Sequence, residues 1–281
     1  MPKLHVVALT ALALLAFAAN SLLCRLALAT AHIDPASFNA IRLVSGAVVL
    51  CLIVALRSNQ PAGNGNWLSA LALFIYAAGF SFAYIGLTTS TGALLLFGAV
   101  QVTMIGVGLR RGERFRLIQT IGFLGAIVGL VLLLLPGLST PQLSSSLLML
   151  IAGMAWGIYS LRAKGAGDPT RVTAGNFLRA APIAALTFLL LISYAHIDRT
   201  GVLCALASGA LASGVGYAVW YAALRHLQAT TAATLQLGVP IIAALGGMVF
   251  LSEQLSSTLL IASILTLGGM GLVIFGRSAS T

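Results

Sequence analysis

Apolar residues fill this chain in blocks of about 18 to 24, separated by short polar interruptions. A hydrocarbon core about 30 Å thick takes roughly 20 residues of helix at 1.5 Å each, so every block predicts one membrane crossing. Ten such blocks lie at about 6–29, 36–56, 67–87, 92–109, 117–135, 145–163, 172–194, 201–222, 232–251 and 257–276. The connections are short and leave no room for a soluble domain. The pattern predicts an all-α, polytopic membrane protein with ten transmembrane helices.

Composition supports this. The 281 residues are 59% hydrophobic and 7% charged, with a mean hydropathy of +1.05, too little polar surface for a protein dissolved in water. The net charge of +10 is informative through its distribution. With the N-terminus inside, eleven basic residues fall on the cytoplasmic side: Lys3, Arg57, Arg110, Arg111, Arg114, Arg116, Arg162, Lys164, Arg171, Arg225 and Arg277. Only Arg25, Arg42 and Arg199 fall on the other side, and Arg179 lies inside the seventh block. This asymmetry places both termini in the cytoplasm, and it explains the basic charge better than a nucleic-acid partner does.

Enzymatic classes find no support in the pattern. Cys24, Cys51 and Cys204 show no CxxC or Cys/His spacing, so they read as small buried residues and no metal or cofactor is expected. Asp34, Glu113, Asp168, Asp198 and Glu253 are scattered one to a loop or helix end, not clustered to hold Mg²⁺. Ser213, in LASGVG, lacks a positioned base and reads as small-residue helix packing. Glu113 and Glu253 read as caps opening the fifth and tenth helices.

The chain repeats itself. A shift of 140 residues sets GLTTSTGALLLFGAV against HLQATTAATLQLGVP and pairs Thr91 with Thr231, Gly98 with Gly238, Gly106 with Gly246, Glu113 with Glu253 and Gly129 with Gly269. A shift of 139 sets FAANSLLCR, Phe17 to Arg25, against WGIYSLRAK, Trp156 to Lys164. Asn39-Ala-Ile-Arg42 corresponds to Asn176-Phe-Leu-Arg179, and Asp34-Pro35 and Asp168-Pro169 precede the second and seventh blocks. Two repeats follow, 1–138 and 144–281, joined by a linker at 139–143. Five crossings is an odd number, so the second repeat enters the membrane from the opposite side and the two form an inverted-topology pair. The first block is then a helix with a partner in the sixth. The AFA tripeptide at Ala16–Ala18 is accordingly not read as a signal-peptide cleavage site.

In AFAANSLLCR, in FNAIRLVSGAVV of the second block, and in the Gly112-Glu113 and Ser252-Glu253 steps ahead of glycine-bearing helices, the chain resembles the EamA family of the drug/metabolite transporter superfamily. The resemblance covers essentially the whole length; Phe17 and Ala18 stand where the family has tryptophan and glycine. It implies a secondary transporter of the cytoplasmic (inner) membrane, often an exporter of amino acids or other small metabolites; the residues within the blocks add neutral, zwitterionic or carboxylate cargo and alternating access, and a monomer or homodimer in the bilayer is expected. A flippase handling a lipid-linked headgroup is the alternative.

The polar residues inside the blocks are the site candidates. Asn20 either ties helices together or lines a cavity, with Phe17 one turn earlier. The aromatics Tyr76, Phe80 and Tyr84 recur at i, i+4, i+8; Trp156 and Tyr159 lie in the sixth block, and Tyr217, Trp220 and Tyr221 in the eighth. Gln101 and Gln236 add mid-membrane amides, and Pro240 is expected to loosen the ninth helix. The substrate-binding set is therefore Phe17, Asn20, Tyr76, Phe80, Gln101, Trp156, Tyr159, Asn176, Tyr217 and Gln236. Arg42 and Arg179 sit about 10 Å into their helices from opposite sides, where snorkelling to the interface is one possible role. An Asn three residues earlier on the same face favours a paired gating or anion-handling role for Asn39, Arg42 and Arg179. No block holds a mid-membrane Asp or Glu, which argues against cationic cargo.

Overall fold

The computed structural model describes residues 3–57, 64–110, 112, 114–135, 141–163, 168–224, 226, 227, 232 and 235–278. Glu113, the linker residues 139 and 140, and the basic residues Arg111, Lys164 and Arg225 lie outside the described residues. In chain order the long helices are α1 (Lys3–Ala29), α2 (Pro35–Arg57), α3 (Trp67–Ala83), α4 (Thr89–Arg110), α5 (Leu117–Leu132), α6 (Leu143–Ala163), α7 (Pro169–Leu190), α8 (Arg199–Leu224), α9 (Gly238–Leu251) and α10 (Ser257–Ser278). Among the described residues, seven of these are long and apolar enough to cross a membrane, and α3, α5 and α9 are shorter apolar helices. The protein is a multi-pass membrane protein.

Local chemistry sets several helix starts. Asp34 accepts the Ala36 and Ser37 N–H groups at 3.1 and 2.9 Å, with Pro35 opening α2. Asp168 caps α7 through the Thr170 N–H at 3.0 Å, with Pro169 opening that helix. Asn66 caps α3 through Ser69 and Asp198 caps α8 through Gly201. Each cap satisfies N–H groups that no earlier turn can reach. The ninth block is interrupted at Leu237, between the helical residues Leu235 and Gln236 and the start of α9, and Pro240 sits in the first turn of α9, where its missing N–H costs that helix no hydrogen bond. Glu253 does not cap α10, whose first turn is bonded by Ser256 through the Leu259 N–H at 3.1 Å.

The helices are apolar on both sides, but the two sides differ. In α2 the outward stripe Val44, Val48 and Leu52 is exposed, as are Leu186 and Leu189 of α7 and Ile261 and Ile264 of α10. The inward stripe of α2 is Asn39, Arg42, Leu43, Gly46 and Leu50, all buried. Aliphatic side chains facing out and polar ones facing in is the pattern lipid imposes, because hydrocarbon offers polar groups no partner.

α5 packs on α10, α3 on α6, α2 on α7, α4 on α6 and α9, and α1 on α8 and α9. Small residues bring backbones together: a Cβ added at Gly122 of α5 would strike the Gly269 carbonyl of α10, and one at Gly269 would strike Gly122. The middle of α8, Ala207–Val215, winds as a π-helix, which the apolar pattern did not foretell. At Gly209 it approaches α2 so closely that a Cβ there would meet Ser45 Oγ and the backbone of Arg42.

Candidate functional site

Helices α1, α3, α4, α6 and α8 enclose a small internal space walled by Phe17, Asn20 and Ser21 of α1, Tyr76 and Phe80 of α3, Leu96 and Phe97 of α4, Trp156 of α6, and Ala212, Ser213 and Tyr217 of α8. About 20 Å³ of it can take the centre of a water molecule, room for about one water. Six of the sequence-derived candidates, Phe17, Asn20, Tyr76, Phe80, Trp156 and Tyr217, wall this space.

The aromatic side chains form a continuous ladder. Tyr84 lies edge-on to Phe80 at 4.8 Å between ring centroids, Phe80 meets Tyr76 at 5.6 Å, and Tyr76 meets Trp156 at 4.8 Å. Trp156 stacks on Tyr159 at 5.3 Å and tilts onto Tyr217 at 5.2 Å, and Tyr217 contacts Phe17 and Phe177. Burial and edge or stacked packing hold these rings in fixed orientations.

Two polar contacts tie the π segment of α8 to the first helices. Ser208 Oγ donates to Asn20 Oδ1 at 2.6 Å, and Ser213 Oγ accepts from Arg42 Nε at 3.3 Å. Residues five apart in an α-helix lie about 140° apart around the axis, whereas the wider i→i+5 turn brings them nearer one face. The π winding thus lets Ser208 and Ser213 serve neighbouring partners. Ser213, read from sequence as packing only, bonds Arg42 and walls the cavity; the glycines at 209, 214 and 216 were the available signal.

Arg42 is 1% exposed. Its Nη2 donates to the Tyr76 hydroxyl at 2.9 Å, and its guanidinium carbon lies 5.1 Å from the Tyr76 ring centre and 5.0 Å from that of Phe80. Nη1 has no hydrogen-bond partner. Arg179, its counterpart in the repeated Asn-x-x-Arg, fares differently: it is half-buried and its Nη1 donates to the Gly175 carbonyl of its own helix at 2.8 Å. The two arginines, expected as a pair, differ in burial and in partners. Asn39 is buried with Oδ1 unpartnered. Gln101 is buried in α4 and Gln236 is half-buried ahead of α9, and neither walls this space.

Polar networks lie toward both ends of the bundle. At the Asp34 end, both carboxylate oxygens of Glu253 accept the Thr89 N–H at 2.9 Å, and Glu253 pairs with Arg25 Nε at 3.4 Å. Arg25 also donates to the Tyr84 and Ile85 carbonyls. Beside this, Ile33 and Ile197 form an antiparallel bridge, and His32 Nδ1 meets Asp198 Oδ2 at 2.6 Å. The Gly201 N–H first, and then His32, hold the Asp198 carboxyl below its ordinary range. At the Asn66 end, Asn176 Oδ1 accepts the Asn66 N–H at 2.9 Å while its Nδ2 donates to the Tyr159 hydroxyl at 3.5 Å. Tyr159 donates to Thr173, which donates to Tyr221; Arg162 reaches Ser69 and Asn66. Asn176 and Tyr159, also expected in the substrate-binding set, do not wall this space; Tyr159 stacks on the wall residue Trp156 and Asn176 bonds Tyr159.

The fold is a multi-pass helical bundle around a small internal space walled by aromatic, hydroxyl and amide side chains. Residues 5–135 and 143–275 each match the EamA-like transporter family, and the chain belongs to that family, within the drug/metabolite transporter superfamily. It is 52% identical over 284 residues to an uncharacterized protein of Pseudomonas aeruginosa, covering 99% of each chain. It is 23% identical over 256 residues to the uncharacterized transporter YoaV of Bacillus subtilis, covering 85% of this chain and 86% of that one. A crystal structure with 21% sequence identity shares the fold, with a TM-score of 0.64 over 95% of this chain and 99% of the other.

Proposed function

We propose that the protein is a secondary transporter of the inner membrane that moves small organic metabolites outward by alternating access. Its cargo is amino acids or related neutral, zwitterionic or carboxylate solutes. The observation that carries this reading is the aromatic and amide-edged space between α1, α3, α4, α6 and α8, with one polar network of Arg25, Glu253 and Thr89 toward one end of the bundle and another of Asn66, Asn176 and Tyr159 toward the other. Separate networks on the two sides of a site suit alternating access, because each can open while the other holds.

The proposed architecture is ten spans as two inverted five-helix repeats, 1–138 and 144–281, with both termini cytoplasmic. It is supported by the two matches to the family and by reciprocal packing: α1 meets α8 as α6 meets α3, while α2 meets α7, α4 meets α9 and α5 meets α10. In this orientation the Glu253 end faces outward and the Asn66 end inward. A lateral groove of α2 and α8 is aliphatic apart from Ser45, which suits lipid chains better than a headgroup.

Purified protein reconstituted in vesicles should move labelled amino acids or organic acids, and Trp156→Ala or Asn20→Ala should abolish that flux at equal insertion. Lipid scrambling without solute flux, or unchanged flux in both variants, would overturn the proposal.

A further inference from the structure

We infer that Arg42 is the anion receptor of this cavity, and that the solute it takes joins a carboxylate to a compact apolar body. As a statement about cargo this rests on the transport reading; as a statement about binding it does not.

Arg42 is a charge out of reach of water with one end of its guanidinium unused. Taking such an ion from water costs several kcal/mol unless geometry and partners compensate. Tyr76, Ser213 and the faces of two rings supply part of that. A counter-ion does not, because the described acids are all engaged at helix ends. Asp34, Asp168 and Asp198 cap α2, α7 and α8, and Glu253 caps α4 and pairs with Arg25. Among the described residues Arg42 has no ion pair.

Two further observations point the unused donors toward a ligand. Both hydroxyl partners of Arg42, Tyr76 and Ser213, wall the cavity, so the guanidinium lies directly behind that wall. The repeat also duplicates the arginine but not its environment: Arg179 spends Nη1 on its own helix. Of the two duplicated arginines, Arg42 is thus the one that keeps a donor unused beside the cavity. A carboxylate accepts two parallel N–H bonds from a guanidinium, restoring the missing bond and the missing charge together. A neutral amide restores only a bond, and an ammonium group adds like charge where screening is weak. The rings of Phe17, Trp156 and Tyr217 then cover an apolar, ring-sized body. Because the space now holds about one water, entry requires the wall to open first.

The test uses full-length protein in lipid nanodiscs and three probes of one shape: benzoate, benzamide and benzylammonium, titrated by calorimetry. Benzoate should bind at millimolar concentration or better and at least tenfold more tightly than benzamide, with no binding of benzylammonium. Arg42→Gln should erase the preference for benzoate, Arg42→Lys should weaken it, and Arg179→Gln should leave it intact. Equal affinity for benzoate and benzamide, no benzoate binding to the wild type, or an undiminished preference in monodisperse Arg42→Gln would overturn the inference. If Arg42→Gln does not fold, the wild-type probe series and Arg42→Lys decide. Arg42-dependent benzoate binding without solute flux would keep the receptor and discard the transport reading. Flux confined to solutes lacking a carboxylate, unaffected by Arg42→Lys, would do the reverse.

Discussion

Glu253 caps a helix that begins 164 residues earlier in the chain: its carboxylate accepts the Thr89 N–H at 2.9 Å and turns its remaining charge to Arg25. The geometry originates at Ser252, which ends α9 in the left-handed region with φ of 54°, so that the chain reverses and Glu253 points into the bundle. One side chain thereby joins α1, α4 and the α9–α10 turn.

Glu253→Ala should lower the thermal midpoint in detergent, corresponding to about 1–2 kcal/mol from the lost cap. Arg25→Ala should cost less than Glu253→Ala, and the double variant should cost less than the sum of the two, by about 0.5 kcal/mol or more. Strict additivity would show that the two residues do not interact.

Gly209→Ala should destabilise the protein by about 1–3 kcal/mol, because its Cβ collides with Ser45 Oγ and with the Arg42 backbone. Adding Ser45→Ala should not restore the midpoint, since the backbone atoms of Arg42 remain in the way. Recovery in the double variant would place the conflict at the serine alone.

Stability should fall in acid through Asp198. Its carboxyl is held below the ordinary range by the Gly201 N–H and by His32, so the unfolded chain binds the proton more readily. The contribution is present above about pH 4 and is lost as pH drops through the lower folded value. Asp198→Asn keeps a capping side chain but removes the titration, so the gap in midpoint between it and the wild type should close in acid. A gap independent of pH would contradict this.

Cysteines placed at Ser139 and Ser58, both outside the described residues, test orientation in a background where Cys24, Cys51 and Cys204 are alanine. An impermeant maleimide should label Ser139→Cys on intact cells and Ser58→Cys only after permeabilisation. The reverse pattern would invert the proposed topology.

Much of the site was legible because aromatic residues at helical spacing share a face whatever surrounds them. Tyr76, Phe80 and Tyr84 could only form a stripe, and that stripe is the ladder beside the cavity. Gln101 and Gln236 lie apart from the small space that Asn20 walls, because an amide at mid-membrane depth reveals its depth but not its direction. Ser208 and Ser213 became partners of Asn20 and Arg42 only through the π winding, which changes the angle between residues five apart.

Membrane class and most helix limits were legible in the chain because lipid demands long apolar runs, and the repeated Asp-Pro pairs mark the starts of α2 and α7, where a cap acts within three residues of itself. Tertiary structure decided what identical motifs became. Asn39-Ala-Ile-Arg42 and Asn176-Phe-Leu-Arg179 share spacing, yet Arg42 is buried against Tyr76 and Ser213 while Arg179 folds back on Gly175. The fate of a buried charge depends on which donors, acceptors and rings other helices bring within about 3 to 5 Å, and in a bundle those neighbours come from segments far apart in the chain.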